Sequence, residues 1–378
     1  MVRRFTAFGP LILVFLLAGC TIPISQDAVP TSSIEPTSRP TNAGVGSYPT
    51  APASGPIPTT TVPVTWANLH LSGTLVYLAG FDQDNNPYER LENLDLTSGA
   101  ITTLYQTPPI WWISAASVSP DRRLVALSYA SPTDFSAIYV MPLDGSSPPQ
   151  LLLSPPTNMD EYIEPVWSPD GKYIYYAHTN FTPPPEKSNQ LFPLFDLERI
   201  AYTGGAPEKL VTDAYWPRLS PDGKRLLYVS ENPSNKTDRL FLSALDGSDP
   251  HQVELKGSIV PTIIDAPFFL PDEKTILFSG LVQTQSFAPD WLDWLMGVQV
   301  ASAHSLPEDW WSVAASGGVP TQLTHIQSPS LYASPSPDGG QLASFSSNGI
   351  FVMGLDGSDL TMIVSDVGSI PGTVNWIP

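Results

Sequence analysis

The sequence has a single cysteine, Cys20, so no disulfide can close within the chain. Charge is also scarce, at 14% of residues, and one-sided: 17 Lys and Arg face 36 Asp and Glu, a formal net charge of −19. A chain this acidic repels phosphate backbones and anionic head groups, which argues against a nucleic-acid partner or adsorption to anionic lipid. The five histidines, His70, His178, His251, His304 and His325, are scattered without ligand spacing. A G-x-S-x-G nucleophile elbow is missing. Asp82-Gln83-Asp84-Asn85-Asn86 imitates the start of a calcium loop, but Pro87 occupies the glycine position and Asn93 the closing glutamate position. These gaps lead us to expect no bound metal, no cofactor and no catalytic constellation. What is abundant is proline, 42 residues, and with 26 glycines it makes up about 18% of the chain against a usual ~12%. Hydrophobic residues still reach 42%, enough for a large core, so the prolines and glycines mark turns in a folded protein.

The N-terminus carries an address. Arg3 and Arg4 precede the apolar run Leu11 to Leu17, which is too short to cross a ~30 Å hydrocarbon layer and has the form of a secretory leader. It ends Leu17-Ala18-Gly19-Cys20, which resembles the bacterial lipobox and marks Cys20 for lipidation. The leader is therefore read as residues 1 to 20. Without Arg3 and Arg4 the chain holds 15 basic and 36 acidic residues, a charge of −21. Between Thr21 and Thr65, 27 of 45 residues are Pro, Thr, Ser or Gly. Such a segment cannot bury enough apolar surface to offset its ordering entropy, so 21 to 65 is expected to be a disordered tether with a reach of up to roughly 140 Å. The expected location is the cell envelope outside the cytoplasmic membrane, with contact to the bilayer through the lipid alone.

From residue 66 a turn phrase recurs: Ser119-Pro120-Asp121, Ser168-Pro169-Asp170-Gly171, Ser220-Pro221-Asp222-Gly223, Leu270-Pro271-Asp272 and Ser336-Pro337-Asp338-Gly339. The aspartates are 49, 52, 50 and 66 residues apart. Proline presets φ, aspartate caps local amides, and glycine takes the left-handed conformation that reverses the chain. Each phrase precedes a short β-branched or aromatic run, then another strand, a second turn such as Leu245-Asp246-Gly247-Ser248, and a closing strand such as Lys209-Leu210-Val211. Four antiparallel strands every ~50 residues are the signature of a propeller blade. The ends complement one another. Residues 73 to 104 hold the last three strands of a unit, and Val374-Asn375-Trp376-Ile377-Pro378 is a first strand stopping at its turn proline. The fold class is thus all-β: a six-bladed propeller of four-stranded antiparallel blades over residues 66–378, closed by the C-terminal strand joining the first blade.

These repeats, best seen in Val166-Trp167-Ser168-Pro169-Asp170-Gly171-Lys172-Tyr173-Ile174-Tyr175, resemble the TolB-type propeller family over 66 to 378. Arg122 and Glu273 replace the turn glycine in two repeats, and the fifth unit is some 15 residues too long. The resemblance implies an envelope or extracellular protein partner, and the lipobox, the tether and the missing catalytic constellation lead us to expect a non-catalytic binding scaffold. Similar propellers also occur in prolyl-oligopeptidase-like enzymes and in oligogalacturonate lyases, so a carbohydrate-binding or carbohydrate-active propeller with its site at the channel mouth, taking a glycan or other small ligand, is the alternative.

Strand order places both turn types on one face and the longer connections on the other. The variable connections carry the candidate binding residues Trp111, Trp112, Tyr162, Glu164, Tyr215, Trp216, Asp265 and Tyr332, aromatic groups of the kind that anchor partners or stack on sugars. The long insertion Leu281 to Trp310 adds Trp291 and Trp294, as a lid, a docking element or packing over its own blade. Its acidic residues Asp290, Asp293, Glu308 and Asp309 are expected to be solvated.

Overall fold

A computed structural model describes residues 60–61, 66, 69–83, 86–181, 194–232, 237–282, 307–328, 331–365, 367 and 373–378. The leader, Cys20, the tether as far as residue 59, and Trp291 and Trp294 lie outside the described residues. No helix among the described residues is long and apolar enough to cross a membrane.

The described chain forms six antiparallel sheets. Blade 1 combines β2 (Thr74–Gln83), β3 (Asn86–Asp95) and β4 (Ala100–Gln106) with the last strand of the chain, β25 (Val374–Ile377). The registers Thr74↔Ile377 and Tyr77↔Val374 close the ring as expected. A two-residue strand, β1 (Thr60–Thr61), from the end of the segment read as tether, lies along the outer edge of β4. Blades 2 to 6 begin with the innermost strands β5 (Trp112–Val118), β9 (Asp160–Trp167), β13 (Tyr215–Leu219), β17 (Ile263–Phe269) and β21 (Tyr332–Pro335). Each is followed outward by three more strands in chain order.

Face-to-face stacking of blades explains the strand sequences. The second strands, such as β10 (Tyr173–Asn180) and β18 (Thr275–Leu281), are covered on both faces, so they are runs of apolar residues with no polar alternation; Ile276, Leu277 and Phe278 are all fully buried. The outermost strand β12 (Glu208–Thr212) is covered only in part and keeps Glu208 and Lys209 exposed. Between blades the innermost strands are tied by side chains. Trp167 Nε1 donates to Ser117 O at 3.1 Å, and Asn375 Nδ2 donates to Ala116 O at 3.1 Å.

The repeated turn is a small hydrogen-bond device. In four blades the serine hydroxyl donates to the aspartate two residues on, at 2.6–2.7 Å, and accepts the backbone N–H five residues on, at 2.9 Å. Leu270 has no hydroxyl, and there Asp272 takes the N–H groups of Lys274 and Thr275 instead, both at 2.9 Å. Arg122 and Glu273 hold the left-handed turn position without being glycine, at φ 59° and 57°.

Candidate functional site

Aligning the repeats on their turn proline brings six residues to one level of the ring: Ala115, Glu164, Trp216, Ala266, Tyr332 and Thr373. At three of them the backbone is left-handed, Glu164 at φ 54°, Trp216 at 56° and Ala266 at 44°, and each is followed by proline. Proline cannot donate to the ladder, and the register with the second strand shifts at these points. These bulges redirect the side chains into the channel.

There they meet across the axis. Trp216 of blade 4 and Tyr332 of blade 6 pack edge to face with centroids 5.7 Å apart, past blade 5, whose equivalent residue is the small Ala266. Trp216 Nε1 donates to Asp265 Oδ1 at 2.8 Å. Arg218 lies over the Trp216 ring at 5.5 Å and reaches Glu164 Oε2 at 3.4 Å. Burial and the carboxylates of Glu164 and Asp265 push the Tyr332 hydroxyl well above its ordinary value, so it stays protonated. A cavity of about 240 Å³ adjoins this cluster. Every innermost strand contributes to it, from Ser117 and Val166 round to Leu219, Phe268, Ser334 and Asn375, and the turn prolines Pro169 and Pro221 place its mouth on the turn face.

The candidate residues thus divide differently from the sequence expectation. Among the described candidate residues only Trp112 is an exposed aromatic, at 40%. Trp111 is half-buried against Tyr129 at 5.3 Å. Tyr162 is buried between Tyr176 and His178. The Tyr215 hydroxyl donates to Asp238 at 2.5 Å. Glu164, Trp216, Asp265 and Tyr332 are buried, and they belong to the channel, not to a displayed loop surface. For Glu164, Trp216 and Asp265 the reason is the bulges, which turn inward side chains that a regular ladder would place elsewhere, while Tyr332 joins them from a regularly paired strand.

A second correction concerns the insertion. Leu281 ends β18 and Trp310 is the second residue of β19 (Asp309–Ala314). Glu308 and Asp309 are buried, not solvated. Glu308 is sealed from solvent, and burial with the neighbouring Asp265 carboxylate raises it to about 10, so at neutral pH it holds its proton. Burial likewise lifts Asp238 to about 7, Glu161 to about 7 and Glu89 to about 8.

Reasoning from the sequence missed two features. Arg218 is a cation on an innermost strand, findable by aligning the segments that precede the turn serines. His178 binds two carboxylates at 2.9 Å, Asp160 through Nε2 and Glu198 through Nδ1, and the Glu198 bond leads the effects that raise its pKa. Its partners lie 18 and 20 residues away, joined by the β9–β10–β11 pairing, with β11 spanning Leu194–Ala201. Among the described residues no group of three acidic, histidine or cysteine side chains is arranged to hold a metal ion.

No protein-family profile matches the chain, and no curated protein matches it. Among solved structures, TolB from Acinetobacter baumannii is similar at TM-score 0.55 and 16% identity, over 80% of this chain and 66% of that one. The chain therefore spans about two-thirds of the length of that protein. The putative TolB from Agrobacterium tumefaciens aligns at TM-score 0.52 and 17% identity, over 81% and 99% of the two chains. The structure of a nidogen/laminin complex aligns at TM-score 0.52 and 12% identity, over 80% and 98%. At these identities the likeness establishes the fold, a six-bladed propeller distantly similar to TolB propeller domains, and nothing finer.

Proposed function

We propose that this chain is a lipid-anchored, extracytoplasmic, non-catalytic scaffold whose propeller takes up a protein partner at the channel mouth on the turn face. The carrying observation is the cavity of about 240 Å³ to which all six innermost strands contribute. That volume lies below the ~300–1,000 Å³ of typical small-ligand sites but accommodates one or two anchoring side chains of a partner. The charged side chains at its floor, Glu164 and Arg218, already engage one another, leaving no free acid and base poised for chemistry. Anchoring through Cys20 and the Pro/Thr-rich segment would hold this mouth away from the bilayer.

The test is site-specific photocross-linking in intact envelopes, with the probe at Ser117 or Val166 in the cavity lining and at Lys209 on an outer strand. The expected result is a discrete protein adduct from the cavity positions and none from Lys209. Equal adducts from both positions, or turnover of a glycan panel by the purified chain, would overturn the reading. Cys20→Ala is expected to abolish palmitate labelling and release the protein from membranes, and retention of label in that variant would remove the anchor from the proposal.

A further inference from the structure

The ring is not packed equally at every junction. In four blades the glycine of the outer turn sits directly on a carbonyl of the preceding blade: Gly145 on Leu104, Gly247 on Leu210, Gly317 on Glu254 and Gly357 on Leu323, so close that a Cβ at any of them would clash. At the junction where blade 6 meets blade 1, the corresponding Gly99 instead meets the Trp66 indole. Trp66, Leu69 and Leu71 wedge into this seam from the segment before blade 1 and join its core. The wedge fills only part of the gap. A cleft of about 610 Å³ remains, larger than the channel cavity and within the range of small-molecule sites.

The lining of this cleft has two chemical parts. Leu69, Leu71 and Val352 form an apolar wall, while Asp356 and Asp359 are the charged residues that line it. No lysine, arginine or histidine is among the described residues of the lining. Both aspartates are exposed. Asp356 is held ionised by its bonds from Ser358, whose N–H donates at 3.0 Å. An anion would meet uncompensated negative charge here, and a purely apolar molecule would leave both carboxylates unused.

We propose that the seam between blades 6 and 1 is a binding site for a small amphipathic organic cation, its ammonium head at Asp356 and Asp359 and its apolar body against Leu69, Leu71 and Val352. The site lies on the turn face but shares no residue with the channel lining, so it stands apart from the scaffold reading.

The test is titration of the full chain, carrying ¹³C-methyl valine, with n-octylammonium and, separately, with octanoate. The expected result is a saturable shift of the Val352 methyls by octylammonium, with Val125 in blade 2 unmoved, and at least tenfold weaker binding of octanoate. Asp356→Asn with Asp359→Asn is expected to weaken octylammonium about tenfold, as loss of two exposed charge pairs implies. Asparagine also caps a turn, so this pair of changes leaves the fold in place. Thr361→Trp, which fills the cleft from an exposed position, should abolish the shift. No saturable Val352 response up to about 10 mM, a millimolar-affinity ceiling, would overturn the proposal, as would equal binding of octanoate or indifference to both variants.

Discussion

Glu308 is the residue at which sequence and environment conflict most. Its carboxyl is sealed beside Asp265, and its pKa lies near 10 against an unfolded value of 4.5. Between those values the native state binds a proton that the unfolded state has released, so this group's contribution to stability falls as pH rises above about 4.5. Glu308→Gln removes the penalty. We expect it to raise unfolding stability by about 1–3 kcal/mol at pH 8 and to change little at pH 4.5. Urea melts at the two pH values decide this, and an equal gain at both would contradict the protonation assigned to Glu308. Arg218 presents the opposite case. Arg218→Ala leaves Glu164 buried without its cation and strips a guanidinium from the Trp216 ring, an expected loss of about 2–4 kcal/mol in the same assay.

Turns and strands follow a simpler logic, because their chemistry is local. The serine–proline–aspartate phrases, the strands after them and their hairpin order were all legible before any coordinates, since each turn closes hydrogen bonds within five residues. Two turns, one that departs from the pattern and one that keeps it, make this testable. Glu273 occupies a left-handed position that costs a non-glycine residue about 1 kcal/mol. Glu273→Gly should therefore raise the denaturation midpoint slightly, less any loss of the Arg225 contact at 4.0 Å. Gly357→Ala should do the reverse and more strongly, by about 2 kcal/mol or more, because its φ of 84° and the Leu323 carbonyl both exclude a Cβ. Comparing the two midpoints with that of the unaltered chain checks both signs.

For the whole molecule, the titrations add in one direction. Glu89, Glu161 and Asp238, raised to about 8, 7 and 7, behave as Glu308 does, losing native-state advantage as pH climbs from about 4.5 to 8. His178, raised by its two carboxylates, contributes fully below pH 6.5 and loses that contribution as pH passes its folded value. Aspartates lowered in the turns, such as Asp170 at about 2, lose their contribution only as pH falls below about 4. Thermal stability should therefore peak on the acid side of neutrality, near pH 5–6, and decline toward pH 8.5. A scanning-calorimetry series that rose steadily through pH 8 would contradict the burial of these acids. Ring closure is the other property of the whole. Deleting 373–378 removes β25, the Trp376 indole bond to Ser72 O at 2.9 Å and the Thr373 and Asn375 ties to blade 2, and should abolish cooperative unfolding.

Blade count, strand order and the joining of the two chain ends were already written in the one-dimensional pattern, because turn chemistry and β-propensity act over a few residues and repeat six times. The destination of Glu164, Trp216, Asp265 and Tyr332 was not. It depends on bulges that turn the first three inward, and on contacts between blades from about fifty to more than a hundred residues apart in the chain. The same holds for the protonation of Glu308, which needs Asp265 beside it, and for the seam cleft, where the outer turn meets Trp66 and four other junctions meet a backbone carbonyl. Local bonding wrote the blades; burial and closure, which act only when the six are assembled, set where charge and empty space ended up.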